Sequence, residues 1–349
     1  MWQVIGQDKL LTLLDYSIKT NTVAHAYLLV GPRYIGKGTL ALNLAQALNC
    51  DEPEPPCGQC RSCRRILEGK HADVTTTGLV SKTEIGIDDI KELQYLANLP
   101  PYEGKYKVFI IDGAEYLSTE AANSLLKILE EPPYKVVWLL LAAEERRLLP
   151  TIISRCQWLD LKPVASEQIR KLLINSYNVD SNKAKLLTQL SHGRLGWALS
   201  AITNDNMLEQ RRQRITELSS LLTATLEQKF AFAQEFASQF SQNRSFMTEL
   251  MDSWFGWWRD LMLIKGGCRD AITNIDYGID LEKQAAILSL EEIKESLINL
   301  NLLQEEIHKN VNARLALESL MLNLPRKNEE DFEPPISSQI KDLVSHKIY

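Results

Sequence analysis

The stretch that decides the fold is residues 26–37, AYLLVGPRYIGK. Its first five residues form a short apolar run typical of a buried strand, and a glycine follows directly. A helical pattern then begins at Lys37 and extends to Leu48. A strand, a glycine-containing turn and a helix in this order predict an α/β domain with a ligand site at the turn.

Residues 31–37 have the spacing of a phosphate-binding loop. Gly31 and Gly36 let backbone N–H groups converge on phosphate oxygens, and the N-terminus of the following helix favours negative charge. Lys37 would contact the β- and γ-phosphates and Thr39 an inner phosphate, so ATP or ADP is the predicted ligand. The alternative is a glycine-rich turn without a ligand.

Two further residues concern Mg²⁺. Asp112 ends the predicted strand KVFIID, where a carboxylate supports the metal through water; a helix N-cap is its structural alternative. Gly38 occupies the position where the motif has the serine or threonine hydroxyl that binds Mg²⁺. The pattern therefore predicts nucleotide binding with impaired hydrolysis.

Outward from this loop, strand and helix patterns alternate as far as Pro163. Further strands are predicted at 107–111, 136–141 and 157–161, and helices at 7–20, 88–96 and 119–131. This alternation is typical of a parallel sheet with crossover helices. Beyond Pro163 only helices are predicted, at 166–176, 181–191, 195–203 and then at length over 207–324. The predicted fold class is therefore α/β plus all-α.

A chain of 349 residues is too long for one ordinary core. We predict a phosphate-loop domain at 1–163 with a cysteine-rich insert at 50–63, and a small helical unit at 164–206. A larger helical domain follows at 207–325, and the polar, proline-containing tail at 326–349 is expected to be disordered.

Composition excludes several classes of protein. With 39 Lys and Arg against 45 Asp and Glu, the net charge is −6, which disfavours a protein that grips duplex DNA unaided. The longest apolar stretch, 136–143, is far shorter than the ~20 residues of a membrane helix. Gln7 and Asp8 interrupt the apolar run that a signal peptide needs. We therefore expect a cytoplasmic protein without membrane contact.

Cys50, Cys57, Cys60 and Cys63 have the spacing C-x6-C-x2-C-x2-C. Two overlapping C-x2-C turns and a fourth cysteine can converge on one tetrahedral metal, and disulfides are not expected in a reducing compartment. We predict a structural Zn²⁺ site, since no position is left for water. Unpaired thiols, a redox pair and an iron–sulfur cluster stay open as alternatives.

Three tryptophans in the C-terminal part, Trp254, Trp257 and Trp258, fall on one side of a predicted helix. Core packing is the favoured interpretation of such spacing. A stacking platform for single-stranded DNA is the alternative. Only Arg259 and Lys265 lie near in sequence, so no dense basic stripe supports that alternative.

Five segments together resemble the bacterial DNA polymerase III clamp-loader family, which consists of AAA+ proteins. They are VIGQ (4–7), HAYLLVGP (25–32), AANSLLKILEEPP (121–133), LLPTIISRC (148–156) and NVNARLALE (310–318). Their order and spacing are specific, although none is decisive alone. The resemblance implies an AAA+ sheet domain, a small helical lid and a C-terminal helical collar domain that joins a ring, in agreement with the organisation predicted above.

The resemblance also implies three more positions needed for hydrolysis. Gly113 replaces the glutamate that orients the attacking water, Ala142 and Ala143 replace the sensor on the third strand, and Gly196 replaces the lid arginine. Together with Gly38, four determinants on separate segments are missing. Loss of one transition-state contact already costs about 3 kcal/mol. A non-hydrolysing, stator-like subunit is predicted, with an ATP-hydrolysing motor subunit as the first alternative.

Arg155 stands in Ser154-Arg155-Cys156, which matches the motif whose arginine reaches a neighbour's γ-phosphate in the family's motor subunits. Its permanent charge and forked donors suit this task. We therefore predict that Arg155 is catalytic in trans, as an arginine finger. A local ion pair is the alternative.

The partners are implied by the resemblance as well. They are the gamma/tau motor subunits and the delta subunit in a hetero-pentamer, and through that complex the sliding clamp and primed DNA. The chain would be a subunit of a DNA polymerase holoenzyme without ATPase activity of its own. A zinc-containing, sequence-independent nucleic-acid-binding protein is the alternative from another class, and the acidic balance disfavours it.

Overall fold

The computed structural model describes residues 2–79, 84–204, 206–242, 244–308 and 311–327. The chain divides into two units, one formed by Met1–Ser176 with Ser191–Leu199 and the other by Tyr177–Leu190 with Ser200–Tyr349. The domain boundaries predicted at 163, 206 and 325 stay predictions. The predicted disorder of the tail concerns residues that, from 328 on, lie outside the described ones.

Among the described residues, a five-stranded parallel sheet forms the centre of the first unit. The elements of this α/β part are α1 (Asp8–Lys19), β1 (Ala26–Val30), α2 (Lys37–Asn49), α3 (Arg61–Leu67), β2 (Val74–Gly78), α4 (Ile87–Ala97), β3 (Lys107–Asp112), α5 (Thr119–Glu130), β4 (Val136–Ala142), α6 (Pro150–Ile153), β5 (Gln157–Asp160) and α7 (Ser166–Tyr177). The strand order is β2-β3-β4-β1-β5, and each neighbouring pair is parallel. The predicted α/β class is confirmed.

Helices cover both faces of this sheet. Leu28 of β1 packs with Ile90 of α4 and Leu125 of α5, whereas its neighbour Leu29 packs on the other face with Leu40 of α2. Successive residues of a strand point to opposite faces, so a strand covered on both sides must be apolar throughout. This is why β1 is a continuous apolar run.

The carboxyl ends of β1, β3 and β4 meet at one edge of the sheet. Val30 lies opposite Ala142, and Asp112 lies opposite Leu141. The loops that follow these three strands therefore come together, at the place where ligands bind in open parallel sheets. The predicted phosphate loop is one of these loops.

The sequence patterns missed two elements of this unit, β2 and α3. β2 has the sequence VTTTG, it is at most half-buried, and it pairs with β3 alone. An edge strand needs no apolar run, so its polar threonines gave no strand signal. α3 lies inside the cysteine-rich insert, where the metal-ligand spacing dominates the sequence.

Beyond α7 the described residues form helices. They are α8 (Ser181–Ser191), α9 (Leu195–Thr203), α10 (Asn206–Thr223), α11 (Leu226–Gln242), α12 (Arg244–Lys265), α13 (Gly278–Ile287), α14 (Leu290–His308) and α15 (Ala313–Asn323), with short 3-10 turns between α12 and α13. The helical run is interrupted after Lys265, where Gly266 and Gly267 follow. None of the helices in the described ranges is long and apolar enough to cross a membrane.

The three tryptophans of α12 lie in the core of the second unit. Trp254, Trp257 and Trp258 are at most 1% exposed. The indole N–H of Trp254 donates to the carbonyl of Arg214 at 3.1 Å, and that of Trp257 donates to Gln284 at 2.9 Å. Core packing is confirmed, and the stacking platform for DNA is wrong, because buried rings present no face to a base.

Candidate functional site

The phosphate loop has the backbone conformation that its glycines predict. Gly31 has φ +153° and Gly36 has φ +111°, both in the region that favours glycine. The N–H of Gly31 donates to the carbonyl of Ala142 at 3.2 Å, which ties the start of the loop to the end of β4. A Cβ on Gly31 would lie 3.1 Å from the carbonyl oxygen of Leu161. Both glycines are therefore required by the turn itself.

Lys37 begins α2, and its ammonium group turns back over the loop. It donates to the carbonyl oxygens of Gly31 and, at 3.1 Å, Pro32. Partial burial lowers the pKa of Lys37, whereas the nearby carboxylates of Glu115 and Asp112 act to raise it. The side chain predicted to bind phosphate thus lies within electrostatic reach of two acidic groups.

Those two carboxylates differ in their surroundings. Asp112 is exposed at the carboxyl end of β3, the position predicted for the carboxylate that supports Mg²⁺. Thr39 is also exposed, in the first turn of α2. Asp112 and Lys37 thus lie at the same edge of the sheet, and Thr39 lies two residues after Lys37.

Glu115 is a site residue that the sequence patterns did not assign. It lies in the 3-10 turn Ala114–Tyr116 after β3 and is only 9% exposed. One carboxylate oxygen accepts the N–H of Ala143 at 3.0 Å, and the other has no hydrogen-bond partner. Burial raises the pKa of Glu115, against the opposing effects of the Ala143 N–H, Lys37 and Arg147. The sequence signal that could have identified Glu115 is a charged residue in an otherwise apolar turn directly after a buried strand.

Two of the four positions at which the resemblance predicts a lost catalytic group are glycines for a structural reason. Gly113 has φ +83°, and a Cβ there would lie 3.0 Å from Cδ2 of Tyr116. Gly196 donates its N–H to the carbonyl of Tyr34 at 2.9 Å, and a Cβ there would lie 2.7 Å from that oxygen. A side chain at Gly196 would therefore collide with the backbone, and one at Gly113 would be strained by the positive φ and crowded by the Tyr116 ring. A Cβ on Gly38, in contrast, would meet nothing within 4 Å.

Arg155 follows α6 and is held by local contacts. Its guanidinium pairs with Glu130, at the end of α5, at 2.7 Å, and it donates to the carbonyl of Thr151 at 3.0 Å. The side chain is 34% exposed and that of Glu130 is 52% exposed. The local ion pair considered as the alternative is thus present, on the surface of the unit.

The four cysteines of the insert converge on one point. The Sγ atoms of Cys50, Cys57, Cys60 and Cys63 all lie within 4.8 Å of one another. Four sulfurs at about 2.3 Å from a tetrahedral Zn²⁺ would be about 3.8 Å apart, so a small inward movement completes the shell. Cys50 and Cys63 are buried and the other two are half-buried. The arrangement fits one metal ion with no open position.

Backbone N–H groups prepare part of this cluster for a cation. Cys57 Sγ accepts the N–H of Cys60 at 3.2 Å and that of Gln59 at 3.4 Å, and these donors lower the pKa of Cys57 to about 7. Burial raises the pKa of Cys50 and Cys63. Two buried thiols that resist ionisation gain most from a soft metal cation, because the metal binds the thiolate form.

The cysteine segment is anchored to the sheet unit at its buried side. Gln46 of α2 donates to the carbonyl of Cys63 at 2.8 Å, and Lys105 donates to the carbonyl of Cys50. Ser62 and His71 pair at 3.0 Å. Since the other ring nitrogen of His71 accepts the N–H of Asp73 at 3.2 Å, the paired nitrogen is the protonated one. His71 therefore donates to Ser62 and does not act as its base.

Asp73 organises the segment that leads into β3. Its carboxylate, 3% exposed, accepts the N–H groups of Tyr102, Glu103 and Gly104 at 2.7, 2.8 and 2.7 Å. Burial acts to raise the pKa of Asp73, but these N–H donors outweigh it and hold the pKa below its usual value. The ionised carboxylate is thus the form that the fold requires.

Similarity to known proteins covers both units. The family model described as DNA polymerase III, delta subunit matches residues 6–165. DNA polymerase III subunit delta′ of Bacillus subtilis (strain 168) is 30% identical over 322 residues, 91% of this chain and 96% of that protein. DNA polymerase III subunit tau of Escherichia coli (strain K12) is 35% identical over 231 residues, 64% of this chain but 36% of tau. Among solved structures, a DNA polymerase III gamma subunit-related protein from Thermotoga maritima aligns with a TM-score of 0.41 and 20% identity, over 88% of this chain and 97% of that one.

Proposed function

The chain belongs to the delta-prime family of bacterial DNA polymerase III subunits, and from this membership we propose that it is a non-hydrolysing, stator-like subunit of the clamp loader. It acts in the cytoplasm with gamma/tau motor subunits and the delta subunit, in a hetero-pentamer that loads the sliding clamp onto primed DNA. Similarity to delta′ over 91% of the chain supports the role, and similarity to tau supports a common ring. The chain is thus a subunit of a DNA polymerase holoenzyme without ATPase activity of its own.

The observation that carries the absence of hydrolysis is the backbone at Gly113 and Gly196. A side chain at Gly196 would collide with the carbonyl of Tyr34, and Gly113 has a positive φ with Tyr116 close by. Replacing either glycine alone therefore cannot restore the missing contact without moving the loop. Each lost transition-state contact costs about 3 kcal/mol, so turnover is negligible.

Nucleotide binding is a separate property of the same loop. Gly31 and Gly36 keep the phosphate-loop conformation, and Lys37 is half-buried at its centre. With Thr39 and Asp112 beside it, the loop keeps the groups that hold phosphates, and it lacks those that split them. ATP or ADP bound here serves as a structural ligand.

Arg155 acts on a neighbouring subunit's nucleotide. Its contacts with Glu130 and Thr151 are local and partly exposed, so the side chain leaves them at small cost. A guanidinium that reaches a γ-phosphate stabilises the charge that develops as the phosphoryl group moves. Arg155 is then a catalytic residue that this chain contributes in trans.

The cysteine cluster holds a structural Zn²⁺. Four convergent sulfurs and the absence of an open position support zinc in a closed site. Gln46 and Lys105 link the cysteine segment to α2 and to the chain that enters β3. The metal therefore stabilises this side of the sheet unit and takes no part in phosphate chemistry.

The helical unit supplies the collar. Four apolar side chains of α14 and α15, Ile298, Leu302, Leu315 and Leu322, are 47–60% exposed. Exposed leucine and isoleucine residues at helical spacing suit packing against the helices of another subunit. This surface supports the assignment of the helical unit to ring assembly.

Reconstitution of the complex tests the proposal. Gamma/tau and delta subunits are assembled with and without this chain, and ATP turnover is measured with primed DNA and sliding clamp present. We expect the isolated chain to be inactive and its omission to abolish stimulated turnover and clamp loading. Turnover by the isolated chain, or full loading without it, would refute the role.

A further inference from the structure

A buried carboxylate lies beside the phosphate loop, and the proposed function gives it no task. Glu115 is 9% exposed, and one of its oxygens has no hydrogen-bond partner. Leaving a charged acceptor unpaired in a buried place is unfavourable, so such groups point to a ligand or to catalysis. The positively charged side chains that interact with Glu115 electrostatically are Lys37, at the end of the phosphate loop, and Arg147.

The position of Glu115 relates it to one particular phosphate. In phosphate-loop sites, the metal that bridges the β- and γ-phosphates is supported by the carboxylate at the end of the β3-type strand, which is Asp112 here. The γ-phosphate therefore extends towards the ends of β3 and β4. Glu115 lies three residues after Asp112 and is fixed to the end of β4 by the 3.0 Å bond from Ala143. Glu115 thus lies by the strand ends towards which a third phosphate would extend.

The charged groups around the loop interact differently with a nucleoside diphosphate and with a nucleoside triphosphate. Gly38 supplies no hydroxyl for Mg²⁺, so no metal ion held by that residue would screen a γ-phosphate from the Glu115 carboxylate. Like charges at short range in a desolvated site repel strongly. A diphosphate, held by the N-terminus of α2 and by Lys37, ends before that position.

Arginine side chains offer the positive charge that the missing metal would have provided. Arg33, within the loop, donates to the hydroxyl of Tyr116 at 3.4 Å. Arg147 lies over the ring of Tyr116 at 5.0 Å. Two guanidinium groups therefore flank the residue next to Glu115, and both are suited to phosphate oxygens.

We propose that Glu115 makes the phosphate loop selective for nucleoside diphosphates, which bind there without a divalent metal. The inference rests on the proposal that this loop binds nucleotide without hydrolysing it. A site that does not accept the third phosphate keeps its bound nucleoside diphosphate while neighbouring subunits bind and hydrolyse ATP. The first unit then keeps the same bound nucleotide throughout the loading cycle.

Calorimetric titration of the full-length chain tests the inference, with ADP and with ATP, each in EDTA and in Mg²⁺. We expect ADP to bind at least about tenfold more tightly than ATP, and EDTA to leave ADP binding unchanged. Glu115→Gln should raise the affinity for ATP about tenfold and leave that for ADP within about twofold. Lys37→Ala should lose both ligands. Glu120→Gln, which removes the same charge from an exposed position of α5, should change neither.

The outcomes separate this inference from the function on which it rests. ATP bound as tightly as ADP by the wild type, or an unchanged preference in Glu115→Gln, overturns it. No binding of either nucleotide to the wild type and Glu115→Gln overturns it too, while the role of Arg155 is untouched. ATP hydrolysis by the chain would instead refute the proposed function. If Glu115→Gln fails to fold, as judged by its melting curve, the wild-type preference for ADP decides.

Discussion

The ion pair between Arg155 and Glu130 sets a limit on how strongly this chain restrains Arg155, the proposed arginine finger. At 2.7 Å, with the two side chains 34% and 52% exposed, the pair belongs to the class of exposed ion pairs. Such pairs contribute about 0.2–1 kcal/mol, so this pair lowers the fraction of Arg155 that is free by roughly fivefold at most. An arginine supplied in trans can accelerate phosphoryl transfer by about 10³-fold or more. The gain at the neighbour's site therefore exceeds the cost of release by a wide margin.

Variants of both partners test this comparison in the reconstituted complex. Arg155→Ala should lower turnover at the dependent ATP site at least about hundredfold, and Arg155→Lys should rescue little, because an ammonium lacks the planar fork. Glu130→Gln frees the guanidinium and should raise turnover by up to roughly fivefold, or leave it unchanged. Arg170→Ala, which removes an exposed arginine of α7, is the matched control. Single-turnover ATPase with primed DNA and clamp isolates the chemical step from the other sites.

Two results would refute the reasoning. Wild-type turnover in the Arg155→Ala complex would mean that the guanidinium serves only its local pair. A loss of turnover in Glu130→Gln as large as in Arg155→Ala would mean that the intact pair is the functional unit. Melting curves of the isolated variants should agree with wild type to within about 1 kcal/mol, since the pair is exposed.

Three further predictions concern stability and the metal. Gly38→Ser places a side chain in open space in the first turn of α2 and should stabilise the chain by about 0.5 kcal/mol in urea unfolding. ATP turnover should stay at background, as in Gly38→Ala, and activity in Gly38→Ser would contradict the backbone argument at Gly113 and Gly196. Asp73→Asn should cost about 2–3 kcal/mol in the same assay, because an amide cannot accept the N–H groups of Tyr102, Glu103 and Gly104 equally well. The fold lowers the pKa of Asp73, so its carboxylate contributes fully to the free energy of unfolding above the ordinary pKa of about 3.9. This contribution is lost as the pH falls through the lowered pKa of the folded state. Asp73→Asn should therefore make the free energy of unfolding less dependent on pH in this acid range, whereas the exposed Asp88→Asn should not. Cys63→Ser should lose the metal, measured by elemental analysis, and lower the melting temperature by several degrees, while Cys268→Ser, at an exposed thiol, should do neither. An iron–sulfur absorption band in the wild type would overturn the assignment to zinc.

Several features could be predicted from the sequence because their causes are local. The apolar run of β1, the two glycines and Lys37 lie within twelve consecutive positions, 26–37, and the structure confirms the strand, turn and helix. The four cysteines lie within 50–63, and their spacing alone was enough to predict that they converge on one point. The tryptophans of α12 needed only the helical period to be assigned to a core.

Other features depend on segments far apart in the chain. β2 gave no signal because an edge strand is defined by its partner, β3, and not by its own hydrophobicity. The reason for glycine at Gly196 is the carbonyl of Tyr34, about 160 positions earlier. Arg155 has the motif of an arginine finger, yet its contact with Glu130 follows only from the packing of α5 and α6.

The phosphate loop shows which features the sequence determines by itself and which depend on the tertiary structure. The sequence alone determined that the loop exists, that Lys37 is at its centre and that the metal-binding hydroxyl is missing at Gly38, because a strand–turn–helix motif is specified by neighbouring residues. Only the tertiary structure decided what surrounds that loop. The parallel register of β1, β3 and β4 brings the N–H of Ala143 to 3.0 Å from the Glu115 carboxylate, and so places a buried carboxylate at the edge of the sheet where the loop lies. Register between strands depends on the burial of the whole sheet, and no short stretch of sequence contains it.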